Sequence, residues 1–217
     1  ANAHALNLAH ANPELQAFFN NEADIVFCDG FGVKWAARIA GTPEPPERYT
    51  PPDWIDALCR QCAAEGYSVA LLGDAPEVAG RAAKVFEQRH LGLRIVMTHH
   101  GYFDKHADSA ENAEVVHQIN ALQPDVLLVG MGMPLQELWL HANRNQIKAP
   151  LVITVGALFR YVSGDSARAP RWMTEHGLEW LGRLFSEPRR LWQRYLIGNP
   201  LMLFRALQQR ITTLLSL

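Results

Sequence analysis

The sequence predicts an α/β fold, a Rossmann-like and mostly parallel sheet sandwiched by helices, with a helical appendage at its C-terminal end. Three observations predict it. Short β-branched runs alternate with helix-like segments from Val69 to Val155, and each run ends in Gly or a polar turn. From Arg171 onward no strand-like run follows, and Trp and Arg accumulate. Alternation of this kind builds a parallel sheet covered on both faces. We therefore expect a core over residues 1–167 and an Arg/Trp-rich helical appendage over 168–217.

Residues 3–20 read as helical, with Pro13-Glu14 opening a second helix. The apolar run 24–28 reads as a strand, followed by a helix over 31–40 that Gly41 ends. Five prolines make 42–52 a loop, and a helix follows from Trp54 to Ala64. Strands are expected at 69–73, 94–97, 126–129 and 151–155, with helices at 76–90, 109–121 and 135–145 between them. Trp172, Leu178, Trp180, Leu181, Leu184 and Phe185 form one apolar stripe. A second stripe runs from Leu191 to Leu217, and Gly198-Asn199-Pro200 is expected to interrupt it.

At 217 residues, 48% hydrophobic and 19% charged, the chain is long enough and apolar enough to bury a full core. No run of 18 apolar residues suggests a spanning helix. The net charge of −2 hides an asymmetry, because residues 168–217 carry +5 and the remainder −7. A basic, aromatic-rich tail calls for an anionic partner. Three cysteines make no disulfide framework, and Cys59-Arg-Gln-Cys62 lies in an apolar-periodic helix with no second pair at metal-ligand spacing.

Candidate chemistry centres on Asp29-Gly30, at the end of the expected strand 24–28. A carboxylate there is placed for acid–base work, and it could equally cap the next helix. Arg48 is the cation of the Pro-rich loop. Gly130-Met-Gly132-Met-Pro-Leu135 begins like a dinucleotide fingerprint but lacks its third Gly, so no nicotinamide cofactor is expected. There is no P-loop, G-x-S-x-G, H-E-x-x-H or Asp-x-Asp metal pair. His99 and His100 are adjacent, so an extended strand would point their rings to opposite faces and argue against joint metal ligation. Neither metal nor cofactor is expected.

Taken in order, the motifs resemble the WecG/TagA/CpsF glycosyltransferases, family 26 of the carbohydrate-enzyme classification. The resemblance runs through Asn2-Ala-His4, Asp29-Gly30-x-Gly32, Pro46-Glu47-Arg48, Leu71-Leu-Gly73 and His99-His-Gly-Tyr-Phe103. It continues with Gly130-x-Gly132-x-Pro134-x-Gln136-Glu137-x-Trp139, Arg168-Ala-Pro170 and Leu178-Glu-Trp180-Leu-x-Arg183-Leu-x-x-Glu187-Pro188.

The resemblance implies inverting, metal-independent transfer of a hexose from a UDP-sugar to a polyprenyl-diphosphate-linked glycan, for cell-surface polysaccharide or teichoic acid. The hexose would be N-acetylmannosamine, its uronate or glucose. It makes Asp29 the general base, with Gly30 and Arg48 beside it, and Asn2, Gly132 and Gln136 as substrate contacts. It also makes the appendage a membrane-docking element whose arginines close over the site. Arg183 and Arg190 match two of these; the third position falls on Gln193, with Arg194 next to it. The implied location is the cytoplasmic face of the bacterial membrane, as a peripheral protein that self-associates and has no nucleic-acid partner.

Departures are visible too. The Thr and strand that precede Asn2 in the family are absent, which suggests a trimmed N-terminus. Gly156-Ala-Leu-Phe159-Arg160 replaces the common Gly-Gly-x-Phe-Asp, and Tyr49-Thr-Pro-Pro-Asp53 replaces a Gly-bearing loop. A non-catalytic nucleotide-sugar-binding module is the alternative, and deletion of 171–217 is expected to leave a folded core with little activity.

Overall fold

A computed structural model describes residues 1–216. In chain order, the elements are α1 (Ala3–Ala11), α2 (Pro13–Ala17), a π turn (Phe18–Glu22), α3 (Phe31–Ala40), α4 (Pro51–Glu65) and β1 (Ser68–Gly73). Next come α5 (Val78–Arg89), β2 (Arg94–His99), α6 (Ala110–Leu122), β3 (Val126–Gly130), α7 (Leu135–Asn143), β4 (Leu151–Thr154) and α8 (Leu158–Ser163). The last helices are α9 (Arg171–Glu175), α10 (Glu179–Ser186) and α11 (Pro188–Trp192), then a second π turn (Gln193–Ile197) and α12 (Gly198–Leu215).

The chain folds as two compact units. One comprises residues 51–167, and the other joins 1–50 to 168–217. The seams lie at 50/51 and 167/168.

The 51–167 unit holds a parallel sheet in the order β2-β1-β3-β4. Central strands β1 and β3 are buried throughout, as their unbroken apolar runs require, whereas the edge strands β2 and β4 are mostly half-buried or exposed. Residues of α4, α5 and α8 pack with the sheet into one core around Phe86, Leu71, Leu128 and Phe159. Gly73 and Gly130 let the ends of β1 and β3 touch, since a Cβ on Gly73 would meet the Gly130 carbonyl at 2.4 Å. Pro51 and Pro52 open α4 instead of extending the loop to 52, because the first helical turn needs no N–H donors. Cys59 and Cys62 are buried free thiols, and burial pushes Cys59 up to about 12. They are core side chains.

In the other unit, α12 lies on α3. Ala36 and Ala40 meet Met202 and Ala206, and the three alanines allow close approach of the two helices. Asn7 of α1 donates to the Gly198 carbonyl at 2.6 Å and accepts from Arg205 at 2.9 Å.

Three sequence expectations need correction. Among the described residues, the segment 24–28 joins no sheet. Ala1 pairs with it at one position, its amino group donating to the Phe27 carbonyl and its carbonyl accepting from Asp29 N–H at 2.7 Å, and Tyr49 N–H donates to the Cys28 carbonyl at 2.9 Å. Pairing at one position does not extend into a ladder, and Ile25 is left 71% exposed. Gly198-Asn199-Pro200 does not break the C-terminal helix. Pro200 has no N–H to give the preceding turn, and the chain absorbs this in the π turn, where Gly198 N–H bonds back to Gln193. Finally, the His99 and His100 rings lie together, 4.6 Å between centroids, because β2 ends at His99.

Candidate active site

Asp29 sits where the extended segment meets α3. Gly30 follows at φ 113°, a conformation open to Gly, and turns the chain into the helix. Asn2 reaches Asp29 from the start of α1. Its Oδ1 caps that helix by accepting from Ala5 N–H at 3.1 Å, and its Nδ2 donates to Asp29 Oδ2 at 3.1 Å. The cap fixes the amide, and the amide fixes the carboxylate. Asp29 remains half-exposed.

The same unit gathers cations around a second carboxylate, Glu179. Arg48 lies over the Phe31 ring, 5.9 Å from its centroid, and its Nη1 is 3.3 Å from Glu179 Oε2. Arg168 reaches the same oxygen at 3.8 Å and donates to Thr50 Oγ1 at 3.3 Å. Burial raises the Glu179 carboxyl; Arg168, Arg48 and Arg183 pull it back down, and the negative charge of Asp29 pushes it further up.

The π turn settles which of residues 193 and 194 turns inward. Gln193 is exposed, whereas Arg194 is half-buried and its Nε is buried with no hydrogen-bond partner among the described residues. Burial lowers the Arg194 guanidinium; Arg183 and Arg190 lower it too, while Asp29 favours its charge. His4 of α1 lies alongside, and burial, helped by the Arg194 charge, holds its imidazole down at about 4 and neutral. Arg190 is exposed and forms a bidentate pair with Glu187 at 2.6 and 2.8 Å.

Gly132 and Gln136 belong to the 51–167 unit, at the carboxyl edge of the sheet. Gly132 has φ 77° and open space where a Cβ would stand. Gln136 is buried, and its Oε1 accepts from Gly132 and Gly156 N–H, both at 3.2 Å, so it braces two strand-end loops. Its Nε2 donates to Glu137 Oε1 at 2.7 Å. Glu137 is 1% exposed, its Oε2 has no partner among the described residues, and burial pushes its carboxyl up.

A carboxyl raised on folding stabilises the fold below the ordinary carboxylate range, and that contribution is lost as pH rises through the raised value. Glu137→Gln, which cannot ionise, should melt with the wild type at about pH 4 and roughly 2–4 °C above it at about pH 8. A thermal melt at each pH checks this; an equal gap at both would show that the Glu137 charge is immaterial.

Sequence reasoning brought out Asn2, Asp29, Gly30, Arg48, Arg183 and Arg194, all of which the structure places in one unit. It passed over Glu179, Arg168 and His4 as site residues, although each stood in a quoted motif. Arg48 and Glu179 are 131 residues apart, and no local spacing signals such a pair.

The family model described as the glycosyl transferase WecG/TagA/CpsF family matches residues 1–215. Among curated proteins, the chain is similar to the N-acetylglucosaminyldiphosphoundecaprenol N-acetyl-beta-D-mannosaminyltransferases of Staphylococcus aureus strains MW2 and NCTC 8325 / PS 47. It is 29% identical to each over 195 residues, which cover 86% of this chain and 74% of each relative. With nearly its whole length matched, the chain belongs to the WecG/TagA/CpsF family and is a glycosyltransferase.

Proposed function

We propose that the enzyme transfers a hexose from a UDP-sugar to a polyprenyl-diphosphate-linked glycan, with inversion and without a metal, and that Asp29 is its general base. The observation that carries this reading is the Asn2-held Asp29 in one compact unit with Arg48, Arg168, Arg183 and the half-buried Arg194.

Asp29 takes the proton from the acceptor hydroxyl as that oxygen attacks the anomeric carbon. Attack from the side opposite the leaving UDP inverts that centre. Negative charge then grows on the departing diphosphate. Guanidinium groups suit it, because they present paired donors to phosphate oxygens and stay charged. The name of the Staphylococcus aureus relatives specifies a diphosphoundecaprenol-linked acceptor and an N-acetylmannosaminyl group, which supports this chemistry. N-acetylmannosamine is the first donor sugar to test, followed by its uronate and glucose.

The appendage adds a membrane reading. On α12, Leu201, Phe204, Leu207, Ile211 and Leu214 are exposed at helical spacing, and Arg189 and Arg210 are exposed nearby in sequence. No helix of the described residues is long and apolar enough to cross a membrane. An apolar stripe with flanking arginines suits the surface of an anionic bilayer, here the inner face of the bacterial membrane that carries the lipid acceptor.

A donor screen tests the whole. The protein is incubated with an N-acetylglucosaminyl-diphosphoprenol acceptor on anionic vesicles and each UDP-hexose in turn, with EDTA present, and UDP release is measured. One donor should give acceptor-dependent release. Binding of UDP without transfer from any donor would leave a nucleotide-sugar-binding module instead.

A further inference from the structure

The ion pairs around Glu179 raise a question that the transfer chemistry leaves open: why a half-buried carboxylate sits among the arginines assigned to diphosphate. Its Oε2 is shared by two guanidinium groups, Arg48 at 3.3 Å and Arg168 at 3.8 Å. The three side chains are 16–26% exposed. They come from separate elements, the loop before α4, the segment before α9, and the first turn of α10. One oxygen holding two cations is what a phosphate oxygen would do in the same place.

The charged groups facing Glu179 are Arg48, Arg168, Arg183 and Asp29. When a diphosphate takes over the two guanidinium groups, Glu179 loses both of its ion pairs, keeps only the charge of Arg183, and gains a second anion beside Asp29. One carboxyl must then become neutral. A base for the acceptor hydroxyl has to stay ionised, so the proton belongs on Glu179.

Resting on the reading of the arginines as the diphosphate subsite, we propose that Glu179 is the proton-linked stand-in for diphosphate. It positions Arg48 and Arg168 in the free enzyme, and it binds one proton from solvent when the nucleotide diphosphate displaces it. The balance is simple: two ion pairs pass from carboxylate to diphosphate, one O–H bond forms on Glu179, and the buffer supplies the proton.

Titration calorimetry of the full chain with UDP, at about pH 6 in two buffers of different ionisation enthalpy, reads this directly. The nucleotide's own terminal phosphate contributes equally to all variants, so the difference between proteins isolates Glu179. The wild type should take up more protons per UDP than Glu179→Gln, by an amount approaching one. Glu179→Asp, which keeps the charge, should retain the uptake, and so should Asp29→Asn. Equal uptake by wild type and Glu179→Gln would overturn the proposal while leaving the diphosphate subsite standing. UDP affinity unchanged in Arg48→Ala and Arg168→Ala would remove the subsite itself, and the proposal with it.

Discussion

Asp29→Asn should lower the rate of sugar transfer by about 10²–10⁴-fold, the usual contribution of a positioned general base. The fold should survive, because the side chain is half-exposed and an amide can still accept from Asn2 Nδ2. The loss belongs in kcat, with donor KM changed little, since the proton moves only in the transition state. Rates from UDP release, set beside a thermal melt, check both halves. Activity within tenfold of wild type in a folded variant would return Asp29 to the role of a turn residue.

The second large effect comes from deleting residues 168–217, which should reduce transfer below about 1% of the full chain through loss of the charge-stabilising arginines. The structure also revises what such a truncation leaves behind. Without α12, the α3 face bearing Ala36 and Ala40 is bared, and the Asn7 contacts to Gly198 and Arg205 disappear. Residues 1–50 should lose their hydrogen-exchange protection. The 51–167 unit, with its own core and sheet, should keep protected amides in β1 and β3. Protection retained throughout 1–50 would mean that α1 and α3 fold without the tail. The same deletion should abolish flotation with anionic vesicles.

How much could be read from the sequence depended on the range of the forces involved. Strands β1 and β3 were legible because a strand buried on both faces must be apolar at every position, and Val69 to Leu72 and Val126 to Val129 are. The run Ile25-Val-Phe-Cys28 carries the same signal without a neighbouring ladder, and periodicity cannot report a missing neighbour. Pro200 was misread because a helix interior normally excludes it, and the π turn that tolerates it leaves no compositional trace. The motif singled out Asp29, yet its surroundings were not legible. The Glu179 pairs with Arg48 and Arg168 and the inward turn of Arg194 are products of tertiary packing.

That the unit bearing Asp29 is discontinuous has a consequence for the protein's synthesis. Asn2 and Asp29 leave the ribosome before the 51–167 insert, and the helices that complete their unit leave after it. The insert can therefore fold while elongation continues, and the unit carrying Asp29 closes only once residues 168–217 have emerged. A chain stalled or ended before residue 168 is then a folded sheet without the unit that carries Asp29.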